Sequence, residues 1–510
     1  MNKFNNPVIE GFSPDPTVCA VGEDFYLATS TFSYFPGVPI YHSRDLVNWT
    51  QIGNALHRES QIDLEGVEHS KGIFAPTLRY YNGLFYMITT NVGAKRGGNF
   101  IVTAKNPAGP WSDPYFLEDA PGIDPSLFFD EDGRCYYTGT RPNPEGVRYN
   151  GDWEVWLQEL DLNAMKLVGV STKIWKGALH GAIWPEGPHI YKKDGFYYLM
   201  IAEGGTSFEH AVTIARSREI SGPYEGNPRN PILTHRHLGK AYPVCNVGHG
   251  DLVETIDGKW YMTCLASRPY DGHSNLGRET YLAEITWEDN WPVVNVGYGV
   301  LLMEQEHQLP LQPVEKKRHY GFGEELGIEF LSLRTPQPNF YSLENGLLIM
   351  KTIKTTLCEF GTPAYLGLRQ KSMWYELKTK MSFNPVIDGE EAGLAILQND
   401  AFHIRFVYGV FEGKNELRVV TCENKKDKIE KKIAIKANQL YLKITGEEQA
   451  LKFAFSQDGK NYQEIISGVN ARILSTEVAG GFVGCTMGMY ATSNQKDSQN
   501  NAQFSWLELN

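Results

Sequence analysis

The chain has 510 residues, a net charge of −12, 42% hydrophobic and 21% charged residues, a globular composition long enough for two or three domains. The acidic balance argues against a nucleic-acid or anionic-membrane surface, which needs clustered Lys and Arg. No stretch approaches 18 apolar residues, and Met1-Asn2-Lys3-Phe4-Asn5-Asn6-Pro7 lacks the apolar centre of a secretion signal, so neither a spanning helix nor export is expected.

In chain order, one local pattern occurs five times within the first 265 residues. Its copies are Asp15-Pro16-Thr17-Val18, Ala75-Pro76-Thr77-Leu78, Asp124-Pro125-Ser126-Leu127, Glu186-Gly187-Pro188-His189 and Gly250-Asp251-Leu252-Val253. A polar turn follows each copy, and then an aromatic pair: Phe25-Tyr26, Phe85-Tyr86, Tyr136-Tyr137, Tyr197-Tyr198 and Trp260-Tyr261. Each unit continues into an alternating strand, such as Ile40-Tyr41-His42-Ser43 or Tyr281-Leu282-Ala283-Glu284-Ile285, and another turn. Alternation with turn residues between runs is the signal of antiparallel strands. Five units of about 50–65 residues predict a five-bladed β-propeller.

The repeat ends near residue 303. Residues 304–325 are polar and read as a connection. Beyond them, short strand candidates such as Ala392-Gly393-Leu394-Ala395-Ile396-Leu397 and Leu440-Tyr441-Leu442-Lys443-Ile444 predict a jelly-roll-like β-sandwich over 326–510. The expected fold is therefore all-β: a propeller over 1–303, then the sandwich. The charged run Glu423 to Lys432 reads as a solvated hairpin tip. Cys19, Cys135, Cys245, Cys264, Cys358, Cys422 and Cys485 are odd in number, scattered and without metal-ligand spacing. They predict buried, reduced thiols in a cytoplasmic protein, with no metal site.

Equivalent positions in a radial repeat point to equivalent places. Asp15, Asp124 and Glu186 occupy one repeat position and should converge, whereas the other two copies carry Ala75 and Gly250 there. An Asp at a strand start also serves structure, by bonding its own turn. Three acids at one repeat position exceed that need. Glycoside hydrolysis requires an acid for the leaving oxygen and a base or nucleophile on the opposite face. Carboxylates fill both roles when their surroundings separate their pKa values, and a third carboxylate raises the acid by repulsion. The residues alone do not assign the roles. They favour Glu186 as the acid, since it is the odd member and Trp184 beside it would desolvate it.

The motifs Phe12-Ser13-Pro14-Asp15-Pro16, Phe35-Pro36-Gly37-Val38-Pro39, Gly122-Ile123-Asp124-Pro125-Ser126, Trp184-Pro185-Glu186-Gly187-Pro188 and Leu276-Gly277-Arg278-Glu279-Thr280 resemble glycoside hydrolase family 43. The resemblance covers about 300 residues in order, and the tail is similar to the extra domain of that family's β-xylosidase branch. It implies a five-bladed, inverting enzyme that needs no cofactor. Asp15 matches the general base, Glu186 the general acid and Asp124 the residue that orients the acid and tunes its pKa. Arg278 matches the arginine that contacts substrate hydroxyls. Phe32 matches an aromatic wall, and Phe74 stands where many relatives have Trp. Phe482, in a loop of the sandwich, is the candidate for closing one side of the site. His249 matches a histidine beneath the site that in some relatives touches a central ion through water, so the resemblance admits a structural Ca²⁺ near it. A hydrogen-bonded core histidine is the equal alternative.

The implied function is exo-acting release of β-D-xylose from non-reducing ends of xylo-oligosaccharides. The alternatives are an α-L-arabinofuranosidase, an enzyme with both activities and, remotely, a non-catalytic sugar-binding propeller. The partner is a small oligosaccharide, with no nucleic acid or membrane, and homo-oligomerisation is left open.

Overall fold

Each repeat folds into one antiparallel sheet whose innermost strand begins at or just after the acidic motif position. The computed structural model describes residues 2–179 and 183–510. Among them, the innermost strands are Thr17–Val21, Thr77–Tyr81, Ile123–Phe129, Glu186–Lys193 and Cys245–Glu254. They touch in ring order, and the last touches the first. The five sheets they open, each built outward by consecutive antiparallel pairing, are the blades of a propeller. The aromatic pairs lie on the second strands, where Tyr137, Tyr198 and Tyr261 are buried between blades. Their ring area supplies much of the packing that holds flat sheets face to face.

The ring is sealed by the N-terminal segment. Asn2–Asn5 pairs with Glu304–His307, and residues 6–13 run along the strand Arg278–Glu288. Val8 N–H donates to Thr280 O at 2.9 Å and Ser13 N–H to Arg278 O at 3.0 Å. Gly11 N–H donates to Glu279 Oε1 at 2.7 Å. This lacing brings Asp15, near one end of the chain, beside Arg278 of the fifth blade.

The sandwich packs an eight-stranded sheet on a six-stranded one. Its strands show the period-two burial that builds a half-buried sheet. In Trp374–Ser382, Tyr375, Leu377, Thr379 and Met381 face inward, and in Gln439–Glu447 so do Leu440, Leu442 and Ile444.

Two stretches differ from expectation. Residues 304–325 are not a bare connection: Glu304–His307 closes the propeller, and His319–Gly321 pairs with the final strand, Asn501–Leu509. Their polar sequence hides this because each strand is only three or four residues long. The charged run 423–432 is also mostly strand. Only Asn424 and Lys425, both with positive φ, form a two-residue turn of the kind that joins twisted strands. Glu423 ends the strand Lys414–Glu423, and the rest lies in the edge strand Lys426–Ala434, where charge discourages pairing with another chain.

The two units share one apolar cluster. Phe12, Phe32 and Tyr34 of the propeller pack with Leu331, Leu333, Tyr365, Leu397, Val483 and Tyr490. Arg334 spans the same junction, donating to Val67 O at 2.6 Å and to both carboxylate oxygens of Asp400 at 3.0 and 2.7 Å. The backbones meet closely at Gly277, where a Cβ would stand 2.8 Å from Gly484 Cα, so a side chain at 277 would push the units apart.

Candidate active site

Asp15, Asp124 and Glu186 all sit at the N-terminal ends of inner strands, hence at one end of the ring. The backbone turns them inward. Asp15 and Asp124 have φ near +54° and +53°, a left-handed conformation that Asp tolerates better than most residues. The ladder slips at Ile123/Ser126, Glu186/His189 and Cys245/Gly248/Gly250. Such bulges re-aim side chains beside active sites.

The three carboxyls lie in different fields. Asp15 is buried; it accepts from Ser30 Oγ at 2.5 Å and Arg278 Nη1 at 3.1 Å, with His249 Nδ1 3.5 Å away. Burial opposes its charge, but Arg278, His249 and the Ser30 bond outweigh that cost and hold it below the usual Asp range. Asp124 is buried with one bond, from Gly187 N–H at 3.1 Å. Burial, with Asp15 adding repulsion, pushes it up to about 6. Glu186 is partly exposed. It is raised well above the usual range by desolvation, then by Asp124 and Asp15. One acid held ionised and one held protonated is the separation that acid–base hydrolysis needs.

Trp184, two residues before this acid in the chain, packs its ring against Gly151 and Gly205. A Cβ on either glycine would stand about 3 Å from the indole ring. The backbone N–H of Trp184 donates to Gly151 O at 2.8 Å.

Arg278 is buried against Asp15 and holds Thr206 Oγ1 at 2.9 Å and Phe482 O at 3.3 Å. Its Nε is buried without a partner. Phe32, Phe74 and Phe482 form one aromatic wall. Phe32 lies 5.3 Å from Phe74 and stacks on Phe482 at 6.0 Å and 27°. Phe482 comes from the sandwich, is tied by its N–H to Ser70 Oγ at 3.0 Å and remains 41% exposed, as a ring at a pocket rim would be. The second unit thus contributes to the site.

His249 is buried between Asp15 and Gly187, where a Cβ on the glycine would come within 2.7 Å of Nε2. A Ca²⁺ ion near His249 would need six to eight oxygens, most of them from water rather than from the protein. Asp251, the carboxylate of the fifth copy, is already saturated. It accepts from Arg79 at 2.8 and 3.0 Å, Tyr191 Oη at 2.6 Å, Thr17 Oγ1 at 2.8 Å and Val18 N–H at 3.0 Å. The next donor, His189 Nδ1, accepts from Arg79 at 3.0 Å. Burial holds His189 neutral, down to about 3.

His210, Ser30 and Thr206 belong to the site but were not singled out from sequence. His210 is buried, with Nδ1 3.1 Å from Asn246 O and Nε2 without a partner. Burial pushes it down to about 3, so it is neutral and Nε2 can accept from a hydroxyl. It lies in Glu209-His210-Ala211, ahead of a third strand and outside the repeat position, so no spacing marks it.

Residues 4–292 match the family described as "Glycosyl hydrolases family 43", and residues 321–510 match "Beta xylosidase C-terminal Concanavalin A-like domain". The chain is 52% identical to a xylosidase/arabinosidase of Butyrivibrio fibrisolvens, over 99% of both chains. It is 38% identical to a non-reducing end alpha-L-arabinofuranosidase of Bacteroides ovatus, over 99% of this chain and 94% of that one. The crystal structure of a xylan beta-1,4-xylosidase from Bacillus halodurans superposes with a TM-score of 0.93, at 34% identity and 99% coverage of each chain.

Proposed function

The chain belongs to family 43 of the glycosyl hydrolases, and from that membership we propose that it is a cofactor-independent, exo-acting glycosidase. It releases β-D-xylose from non-reducing ends of xylo-oligosaccharides by inversion. The observation that carries the mechanism is the split between two carboxyls: Asp15 held below the usual carboxylate range, Glu186 raised well above it. Glu186 donates its proton to the departing glycosidic oxygen as the C–O bond breaks. Asp15 takes a proton from the water that attacks the anomeric carbon on the opposite face. Asp124 raises Glu186 by repulsion and fixes its neighbour Gly187 through the backbone bond. Arg278 and His210 Nε2 offer a donor and an acceptor for ring hydroxyls, and Phe32, Phe74 and Phe482 exclude water. A cytoplasmic location goes with this reading, supported by seven free thiols.

A second activity on α-L-arabinofuranosides is favoured by the names of two relatives, one carrying both activities and the other the arabinofuranosidase alone. Arabinofuranose and xylopyranose place their hydroxyls similarly. Turnover of nitrophenyl β-D-xylopyranoside and nitrophenyl α-L-arabinofuranoside, measured side by side, tests both. The proposal expects the xyloside to have the higher kcat/KM. Turnover of the arabinoside alone would overturn the xylosidase assignment.

A further inference from the structure

The cysteines, scattered in sequence, are not scattered in space. Cys358, His403, Cys422 and Asp427 offer four ligand atoms that all lie within 4.8 Å of one another. The sandwich sheet creates this cluster. His403 on Phe402–Phe411 is paired directly with Cys422 on Lys414–Glu423, and Cys422 directly with Asp427 on Lys426–Ala434. Directly opposed residues share a face and stand close together. Three ligands therefore form one row across three strands, and Cys358 closes over them from the segment before Ala364–Arg369.

We propose that this cluster is a structural Zn²⁺ site with Cys358, Cys422, His403 and Asp427 as its four ligands. Tetrahedral zinc with Zn–S near 2.3 Å and Zn–N near 2.0–2.1 Å requires edges of about 3.8 Å between sulfurs and about 3.6 Å between sulfur and nitrogen. The Cys358–Cys422 sulfurs are 3.6 Å apart and Cys358 Sγ is 3.8 Å from His403 Nε2. A disulfide would need about 2.05 Å. Two thiolates, an imidazole and one carboxylate are a donor set for zinc rather than for calcium or magnesium.

The surroundings fit. His403 and Cys422 are fully buried, and the ring nitrogen toward Cys358 is Nε2. Arg405 lies two residues along from His403, with Nη1 3.5 Å from its Nε2. It pairs with Asp427 and stands 3.7 Å from Glu391. It would orient the carboxylate and offset the negative charge that two thiolates and Asp427 leave on a divalent ion. The Cys358 segment also supplies Gly361 O to Arg334 at 2.8 Å, so an ion here would stiffen the loop that supports the domain junction. This site is independent of the glycosidase assignment.

The test uses the full chain, stripped with a chelator under reductant and titrated with Co²⁺, then Zn²⁺. The proposal expects saturation at one equivalent, with the thiolate charge-transfer and visible bands of tetrahedral cobalt, which zinc then abolishes. Cys358→Ser should weaken zinc binding at least about 100-fold, whereas Cys245→Ser, outside the cluster, should bind as wild type. If Cys358→Ser does not fold, alkylation of the wild-type chain decides. Zinc should slow modification of Cys358 and Cys422 at least about tenfold, and equal rates would overturn the site. Absence of a tetrahedral cobalt spectrum, wild-type affinity in Cys358→Ser, or a 358–422 disulfide in never-reduced protein would each overturn it as well.

Discussion

Replacing Asp124 by Asn should make the protein more stable and the enzyme worse, and the size of both effects follows from its surroundings. Asp124 is raised from 3.8 to about 6 by burial and by Asp15. A carboxyl raised on folding binds more protons in the native state than in the unfolded one between those values. Stability is therefore lost as pH rises through that window, and the whole penalty is present above it. Roughly two pKa units amount to about 3 kcal/mol. An amide keeps the shape and accepts the Gly187 N–H less strongly, which returns about 1 kcal/mol. The net gain is about 2 kcal/mol at pH 7.5, a rise in Tm of roughly 2–5 °C; it falls through zero between about pH 4 and 5 as the penalty shrinks, and below the unfolded value of 3.8 only the weaker amide bond remains. The same substitution removes the strongest charge that raises Glu186. The alkaline limb of kcat/KM, where the general acid is lost, should move to lower pH. Thermal scans at pH 4 and 7.5, with pH–rate profiles of both proteins, measure this. Equal melting at pH 7.5, or an alkaline limb that does not move, would refute the assignment of Asp124 as the group that tunes Glu186.

Three further outcomes are expected. Glu186→Ala should lose activity at least about 100-fold on alkyl xylosides and much less on aryl glycosides whose leaving group departs unprotonated; Asp15→Ala should fail on both, with partial rescue by azide. Equal losses on every leaving group would remove the division of roles. Phe482→Ala should raise KM for xylobiose several-fold with a smaller change in melting, since that ring is 41% exposed and stacks on Phe32; steady-state kinetics decide. A chain cut after residue 320 should be insoluble or inactive, because it uncovers Phe12, Phe32 and Tyr34 and deletes Phe482; a folded product fully active on xylobiose would show the sandwich to be a separable appendage.

What could be read from the sequence was what repeats. The shared position of Asp15, Asp124 and Glu186 in the first, third and fourth units brought them to one end of the inner strands, because a radial fold turns equal sequence offsets into equal places. Phe482 was reached only through family resemblance, since it belongs to a unit with no repeat. His210 carries no periodic mark, and its significance is an unpartnered ring nitrogen that only coordinates reveal. Asp251 was visible as a carboxylate in the fifth copy, but its partner Arg79 lies on another blade, 172 positions away. The row His403–Cys422–Asp427 depends on strand register, and a slip of one residue would turn each side chain to the opposite face. Linear spacing therefore concealed it. The strands at 304–307 and 319–321 were hidden by their length, being too short for alternation to register.

The central claim is that Asp15 and Glu186 hydrolyse a glycosidic bond by a single displacement, as base and acid. Proton NMR of the first sugar formed from a β-xyloside, recorded before mutarotation, tests it most directly. The account predicts that α-xylose appears first and the β anomer grows in afterwards; initial release of β-xylose would mean a covalent intermediate and would contradict it.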